Sequence, residues 1–184
     1  MNYIDEIRNY IPTCEQEIKD KELFLQCVNA FNDILTRKNV IAHLTSSGFI
    51  INKEKTKTLM IHHNIYNAWG WTGGHMDGDT NLLEVAIKEA KEETGLEIVE
   101  PLFKEIGSLD VIPVKAHYKK GHFVSPHLHL SIAYILVADE NHDIQIKVDE
   151  NSNIKWIDIN KVMEYTENEP HMQPVYQKLI DKIK

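Results

Sequence analysis

Residues 74–96 read G-H-M-D-G-D-T-N-L-L-E-V-A-I-K-E-A-K-E-E-T-G-L, a glycine-containing loop that runs into a helix-forming segment. At about 100° per residue, Glu89, Glu92 and Glu93 share one face of the predicted helix. Carboxylates three and four positions apart repel one another and destabilise a helix, so something should offset the repulsion. A solvated face beside Lys88 and Lys91 is one explanation, and a bound cation is the other. The segment alone leaves both open.

The surroundings of these acids favour the cation. Glycine in the loop lets the backbone run close to a ligand. The helix should run from about Asn81 to Thr94 and end at Gly95, and it gives the carboxylates a rigid support. Magnesium takes oxygen ligands in octahedral order, commonly a few carboxylates together with water and substrate phosphate oxygens. The pattern therefore indicates a metal-assisted phosphate site.

The same segment resembles the Nudix box, whose pattern is G-x5-E-x7-R-E-U-x-E-E-x-G-U, with U a bulky aliphatic residue. The matching positions are the opening glycine, the three acids of the core and the final pair: Gly74, Glu89, Glu92, Glu93, Gly95 and Leu96. The preceding W-G-W-T-G-G, which begins at Trp69, also looks like the family's approach to its loop. Several fixed positions in register make this a specific signal, unlike a lone glycine motif.

Two positions that brace the loop against the helix in this family are changed here. Thr80 occupies the first Glu position, and Lys88 replaces the Arg. Glu84 lies one turn before Lys88, so these two side chains are expected to form a substitute ion pair worth about 0.3 kcal/mol. The departures bear on loop geometry more than on metal binding, because the core acids are intact.

The resemblance implies an α+β fold, an α/β/α sandwich with a mixed β-sheet. It implies Mg²⁺-dependent (or Mn²⁺-dependent) hydrolysis of a pyrophosphate bond in a nucleoside diphosphate linked to another group. Glu89 and Glu93 are the expected metal ligands, and the Gly74 carbonyl is a further one. Glu92 is either another ligand or the base that helps deprotonate water, so Glu92 and Glu93 are the candidate catalytic residues.

Members of this family often draw one more acid from a later loop, shortly before a tryptophan. Glu150 lies six residues ahead of Trp156 and is the candidate for that metal ligand. Its rivals are Asp149, Asp143 and Glu140, and an ordinary charged loop residue is the competing interpretation.

Four side chains near the box are candidates for substrate binding. His75 should touch a substrate phosphate or cap the turn, and Trp71 should stack on a ring or pack beneath the loop. His127 and His129 alternate onto one face of a predicted strand. An H-x-H pair can bind a transition metal, but no third ligand is evident from spacing. Pocket-lining or hydrogen-bonded histidines are therefore favoured.

Residues 1–39 read as an N-terminal helical extension and residues 40–184 as the Nudix domain. In the extension, Pro12 ends a first helix, and Thr13 with Gln16 matches a capping box that opens a second one. The second helix should carry an apolar stripe from Phe24 to Leu35.

The predicted domain contains strands and helices without a regular alternation. It should begin with a hairpin around N-K-E-K-T-K, and H-L-H-L-S-I-A-Y-I-L-V-A, residues 127–138, is the strongest strand signal. Residues 143–148, D-I-Q-I-K-V, are predicted as a further strand, and residues 175–183 as a closing helix.

Charge and composition narrow the partners. The net charge of −8 argues against a nucleic-acid polymer as a partner. A small-molecule diphosphate is compatible with this charge because a metal ion supplies positive charge.

Cys14 and Cys27 form neither a zinc-type spacing nor a disulfide framework. Neither a signal peptide nor an apolar run of roughly 18 residues is present, so a cytoplasmic protein with no membrane partner is expected. The resemblance leaves a homodimer open.

Two other functions also remain open. A non-catalytic Nudix-like module that binds a ligand or regulates a partner is compatible with the changes at Thr80 and Lys88. An isomerase of prenyl diphosphates, an activity that also occurs on this fold, is disfavoured because no cysteine lies in the pocket-forming segments.

Overall fold

The computed structural model describes residues 2–119 and 121–184, so Met1 and Lys120 lie outside the described residues. In chain order the elements are helices α1 (Tyr3–Asn9) and α2 (Glu15–Ala30), strands β1 (Ala42–Asn52), β2 (Lys57–His63), β3 (Ala68–Gly70) and β4 (Thr72–His75), helix α3 (Leu82–Thr94), strands β5 (Glu100–Pro101), β6 (Ser108–Val114), β7 (His117–Lys119), β8 (His122–Val124), β9 (His127–Ala138) and β10 (Asn151–Asp158), a 3-10 helix at Ile159–Lys161, and helices α4 (Val162–Tyr165) and α5 (Gln173–Ile183).

The centre of the fold is the parallel pair formed by β1 and β9. Their register runs from Ala42 opposite Leu128 to Asn52 opposite Ala138. Along the sheet the strands follow the order β10-β2-β1-β9-β5. In addition, β3 pairs with β2, β4 with β1 and β6 with β9. These other pairs are antiparallel, so the sheet is mixed, as the sequence predicted.

Both faces of the sheet are covered. Alternate residues of β9, such as Ile132 and Tyr134, are buried in a core shared with α1, α2 and α3. The residues between them, such as Ala133 and Ile135, are buried in a second core shared with α5. A strand covered on both faces is apolar at successive positions, which explains the unbroken run near the end of β9. The α+β sandwich is therefore confirmed.

Local sequence signals account for the ends of α3 and for the first hairpin. The Asn81 side chain accepts from the Glu84 N–H at the start of α3, and Gly95 ends the helix with φ 71°. Strands β1 and β2 pair antiparallel around the predicted turn, where the Asn52 side chain accepts from the Thr56 and Lys57 N–H groups.

The second helix of the extension differs from its prediction at both ends. Glu17 Oε2 accepts from the Thr13 N–H at 2.7 Å and from its hydroxyl at 2.9 Å, so Glu17 replaces Gln16 as the capping partner. The helix ends at Ala30 instead of continuing to Leu35. Beyond it the chain turns back to the sheet, since the carbonyl of Ile34 accepts from the Leu44 N–H and the Ile34 side chain is buried.

The strand predicted at residues 143–148 is wrong, because those residues form no regular element. The alternation of Ile144 and Ile146 is real, but the segment crosses the end of α3 instead of pairing in the sheet. There the Gln145 N–H donates to the Thr94 carbonyl at 2.7 Å. Gly95 leaves room for this crossing, since a Cβ at that position would lie 3.0 Å from the Gln145 Cβ.

A buried ion cluster fixes α2 against the sheet and α5. Lys178 Nζ lies 2.5 Å from Asp110 Oδ1 and 3.3 Å from Glu17 Oε1. Tyr10 adds a hydrogen bond to Glu17 at 2.7 Å. Within the two described ranges, no helix combines the length and the apolar character needed to cross a membrane.

Candidate active site

The short strand β4 lies directly against two of the helix acids. The Gly73 N–H donates to Glu93 Oε2 at 2.9 Å. A Cβ atom at Gly73 would lie 2.9 Å from the Ser47 Cα, so this close pairing with β1 requires glycine. A Cβ atom at Gly74 would lie 2.4 Å from the carboxyl carbon of Glu89. The glycines predicted to bring the backbone close to a ligand therefore bring it close to the carboxylates.

The electrostatics of this pair are unfavourable for two ionised carboxylates. Glu93 is only 3% exposed. The pKa of Glu93 is raised to about 8, chiefly by burial; the hydrogen bond from the Gly73 N–H opposes the rise, and the Glu89 and Glu150 carboxylates add to it. Burial, followed by the charge of Glu92, also raises the pKa of Glu89.

The other predicted ligands lie around this pair. Glu92 is exposed on α3, and its charge acts on Glu89. Glu150 precedes β10 and is 3.2 Å from Lys147 Nζ, and its charge contributes to the raised pKa values of Glu89 and Glu93. The structure thus brings Glu150 towards the acids of α3. Its rival Glu140 is paired with Lys57 instead.

The substitute ion pair predicted within the box is wrong. Lys88 Nζ lies 3.8 Å from Glu92 Oε1, one turn further along α3, and not next to Glu84. The Lys88 ammonium also lies close enough to Glu89 to lower the pKa of that carboxyl. It is therefore attracted towards the combined negative charge of Glu89 and Glu92, which exceeds that of Glu84 alone.

The glycine-rich loop is instead braced from the segment that follows α2. The Arg37 guanidinium makes paired hydrogen bonds to the Asp77 carboxylate, with 2.9 Å between Nε and Oδ1. The Gly78 N–H donates to the Leu35 carbonyl at 3.0 Å. Residues outside the box therefore replace the brace that Thr80 and Lys88 do not supply.

A cavity of about 670 Å³ opens beside β4. Its lining includes Glu93 and the four predicted substrate-binding side chains: Trp71, His75, His127 and His129. Trp71 packs edge-on against Tyr176, with ring centroids 5.5 Å apart. The acids split between two places, since Glu93 reaches the cavity whereas Glu89, Glu92 and Glu150 are not part of its lining.

Four histidines meet at one end of this cavity. The centroids of the His43, His75 and His129 rings lie 4.9 to 5.1 Å apart. His127 Nε2 is 3.3 Å from His129 Nε2. Burial, followed by neighbouring positive or potentially positive groups, lowers the pKa of His75 to about 3 and that of His129 to about 2. The imidazoles of His75 and His129 are therefore neutral at ordinary pH.

Two residues of the site were missed from the sequence. Arg37 was hidden in a segment read as helix. His43 stands at the start of a β-rich run. It could have been found only from the register that sets it opposite His129.

The acid site fits a divalent cation. The carboxylates of Glu89 and Glu93 are held together by α3 and β4. Burial, followed by repulsion from neighbouring carboxylates, raises the pKa of both groups, and a bound cation would offset both effects. The donors are hard oxygens, which suit Mg²⁺ or Mn²⁺.

Comparison with known proteins identifies the family. The family model of the NUDIX domain matches residues 42–179. The chain belongs to the Nudix family. The Nudix match spans the sheet from β1, the box helix α3 and much of α5, and α1 and α2 precede it. Comparison with curated protein sequences finds no match.

Solved structures share the Nudix fold at low sequence identity. The Caenorhabditis elegans Ap4A hydrolase binary complex is 18% identical, with a TM-score of 0.53, and the match covers 76% of this chain and 96% of that one. The Escherichia coli dihydroneopterin triphosphate pyrophosphohydrolase is 15% identical, with a TM-score of 0.55 and coverage of 76% and 92%. The NUDIX domain of Shewanella oneidensis NrtR, complexed with ADP ribose, is 16% identical, with a TM-score of 0.54 and coverage of 100% of both chains. At these identities the likeness establishes the fold.

Proposed function

We propose that this Nudix protein hydrolyses a pyrophosphate bond in a nucleoside diphosphate linked to another group, with Mg²⁺ or Mn²⁺ as cofactor. The observation that carries the proposal is the position of Glu93. Its carboxylate is buried, accepts from the Gly73 N–H, stands near Glu89 and reaches the cavity. A cation held there would lie beside the space in which a diphosphate binds.

The acids of the box have different roles in binding the cation. Glu89 and Glu93 are the main ligands, with the Gly74 carbonyl and Glu150 as further ligands. When bound, the cation neutralises phosphate charge and lowers the pKa of an attacking water. Glu92 and Glu93 are the candidates for accepting the proton from that water, since a carboxylate close to the reacting atoms can act as a general base.

The cavity suits a small anionic molecule with a ring. Trp71 offers an aromatic surface, and Arg37 at the cavity wall offers positive charge to phosphate oxygens. His75, His127 and His129 line the end of the same cavity. The structurally similar NUDIX domain of NrtR was solved with ADP ribose, which supports a nucleoside diphosphate derivative as the ligand class. The net charge of −8 supports a small molecule over a nucleic-acid polymer.

A substrate screen tests the proposal. Purified protein is incubated with and without Mg²⁺ across dinucleoside polyphosphates, nucleoside triphosphates, nucleotide sugars and coenzyme diphosphates, and phosphate or nucleotide release is measured. Glu93→Gln provides the blank, and turnover should fall by at least about 100-fold in this variant, as expected for loss of a group that acts in the transition state. Full metal-dependent turnover by both Glu93→Gln and Glu92→Gln would refute the assignment of roles.

A non-catalytic module that binds a ligand or regulates a partner is the second candidate. The changes at Thr80 and Lys88 favour it, because two box positions that support the loop in this family differ here. Tight, Mg²⁺-independent binding of ADP ribose without turnover of any diphosphate would support this function. The cytoplasmic location and the choice between monomer and homodimer stay predictions from the sequence.

A further inference from the structure

The four histidines at the end of the cavity come from three strands, and the sheet register brings them together. His43 on β1 stands opposite His129 on β9, and Thr45 on β1 stands opposite His75 on β4. Because residues two apart on a strand share a face, His127 and His129 point the same way, as do His43 and Thr45. All four imidazoles therefore project from one face of the sheet.

The burial and hydrogen bonding of His43 are those expected of a metal ligand. Its side chain is 4% exposed, and its Nδ1 lies 2.9 Å from the Asn39 carbonyl oxygen. This contact places the proton on Nδ1 and leaves a lone pair on Nε2, which finds no hydrogen-bond partner in residues 2–119 and 121–184. Histidines that bind metals commonly donate their other N–H to a carbonyl or a carboxylate in this way.

The turn that holds His43 is itself rigid. The Asn39 side chain is 5% exposed and accepts from the N–H groups of Ile41 and Ala42 at 3.1 Å each. Its amide nitrogen donates to Asp33 at 2.9 Å. The Asn39 carbonyl, and with it the tautomer and orientation of His43, is thus fixed before any ligand arrives.

The spacing of the nitrogens is close to that of a metal site. One ring nitrogen from each of His43, His75 and His129 lies within 4.8 Å of the other two. Tetrahedral coordination with metal–nitrogen bonds of about 2.1 Å requires nitrogen–nitrogen separations of roughly 3.4 Å. Rotations of the partly exposed His75 and His129 rings can close this difference.

We propose that His43, His75 and His129 bind a transition-metal dication, with Zn²⁺ as the best-suited ion, at a site separate from the carboxylates of α3. Imidazole nitrogens suit Zn²⁺, Co²⁺ and Ni²⁺, whereas Mg²⁺ prefers oxygen. Three histidines leave a fourth position, and the cavity gives that position access to water, to His127 or to a phosphate oxygen. The site goes beyond the proposed hydrolysis, because its existence requires neither a substrate nor Glu93.

The structure disfavours a shared proton as the purpose of this cluster. Burial lowers the pKa of both His43 and His75, and the Arg37 guanidinium lowers both further, so an imidazolium here would be poorly solvated and would lie near another cation. The Asp77 carboxylate paired with Arg37 partly offsets that positive charge. A dication differs from a proton in making direct bonds to three imidazoles at once, which repay the electrostatic cost.

Metal titration of the tag-free protein tests the proposal. The protein is stripped with a chelator, returned to buffer with millimolar Mg²⁺ to occupy oxygen sites, and titrated with Zn²⁺ by calorimetry. A parallel Co²⁺ titration uses the visible absorption of the bound ion. We expect one Zn²⁺ per chain. His43→Gln and His129→Gln should each weaken binding by more than the roughly 10- to 100-fold typical of losing an outer partner of a metal site.

Two variants serve as matched controls. Glu93→Gln removes a carboxylate from the acid site, and His142→Gln removes an exposed histidine from the loop after β9. Zn²⁺ binding should stay unchanged in both. Loss of Zn²⁺ binding in Glu93→Gln alone, or Zn²⁺ affinity unaffected by His43→Gln and His129→Gln, would overturn the proposal. Either result is independent of whether the protein hydrolyses any diphosphate.

A measurement on the unaltered protein covers the case in which His43→Gln fails to fold. Long-range proton–nitrogen spectra of protein labelled with nitrogen-15 in its histidine rings report the tautomer and the metallation of each ring. One equivalent of Zn²⁺ should shift the ring nitrogens of His43, His75 and His129 and leave His142 in place. Shifts confined to exposed histidines would contradict the site.

Discussion

The buried carboxyl of Glu93 makes the stability of the metal-free protein depend on pH in a direction that can be calculated. The pKa of this group rises from 4.5 to about 8 on folding. The folded protein therefore holds the proton more tightly than the unfolded chain. This contribution to stability is complete below about pH 4.5 and is lost as the pH rises through about 8. Each pKa unit corresponds to about 1.4 kcal/mol, so the full change amounts to roughly 5 kcal/mol.

The assay compares the natural protein with Glu93→Gln, which cannot ionise at this position. The free energy of unfolding is measured with urea in the presence of a chelator, at intervals from about pH 5 to about pH 8.5. The natural protein should lose several kcal/mol relative to Glu93→Gln across this range. The same measurement on Glu84→Gln controls for removal of a carboxylate from an exposed position on α3.

Magnesium should reverse the effect at the upper end of the range. A cation that binds the ionised carboxylate of the folded protein adds about 2.7 kcal/mol when its concentration is 100 times its dissociation constant. Glu93→Gln should gain much less. A difference between the two proteins that stays constant with pH, with and without Mg²⁺, would refute both the buried carboxyl and its role as a ligand.

Three further substitutions test the loop brace, the strand beside the acids and the buried ion cluster. Arg37→Ala breaks a half-exposed ion pair, so unfolding free energy should change by less than about 1 kcal/mol while kcat/KM for the substrate found in the screen falls about tenfold. Gly74→Ala places a Cβ where the Glu89 carboxylate lies and pushes that flexible side chain aside, so Mg²⁺-dependent turnover should fall about 100-fold with the fold retained by circular dichroism. Lys178→Met leaves two buried carboxylates unpaired and should cost about 3–5 kcal/mol in urea unfolding.

Each of these substitutions has a matched control in the same chain. Arg8→Ala removes another arginine from an exposed ion pair. Gly70→Ala adds a methyl group at ordinary contact distance, 3.5 Å from the Tyr176 hydroxyl. Lys184→Met removes a lysine from an exposed pair. If a control changes the measured quantity as much as its partner does, the corresponding structural explanation is wrong.

The parts of the fold that could be read from the sequence are those specified by neighbouring residues. Helix α3 is bounded by an Asn81 cap and by Gly95 at φ 71°, and both signals lie within the segment they delimit. The alternation of residues 127–138 likewise predicted β9. The same alternation failed at residues 143–148, because pairing in a sheet depends on a partner strand and the available hydrogen bond was at the end of α3. Local pattern sets the preference of a segment, and tertiary contacts decide its use.

The candidate site shows the same difference between features set by local sequence and features set by tertiary contacts. Glu89 and Glu93 lie one turn apart on α3, so the spacing was sufficient to predict that they lie together, but it did not distinguish the exposed Glu92 from the buried Glu93. His43 joins His129, 86 positions further along the chain, only through the parallel register of β1 and β9. The brace by Arg37 depends on where the chain runs after α2 ends at Ala30, which the apolar stripe did not reveal.

Strand β4 keeps the carboxylate oxygens of the acid site apart from the imidazole nitrogens of the histidine cluster, although the two sets lie close together. Successive residues of a strand point to opposite faces of a sheet. Gly74 accordingly faces α3 and the Glu89 carboxylate, whereas His75 faces the other imidazoles, and the Gly73 N–H fixes Glu93 at the edge between them. A shift of β4 by one residue would exchange these faces, so the antiparallel register with β1 positions both donor sets at once. Substitutions that disturb this register should therefore impair Mg²⁺-dependent turnover and Zn²⁺ binding together, whereas Glu93→Gln and His43→Gln should separate them.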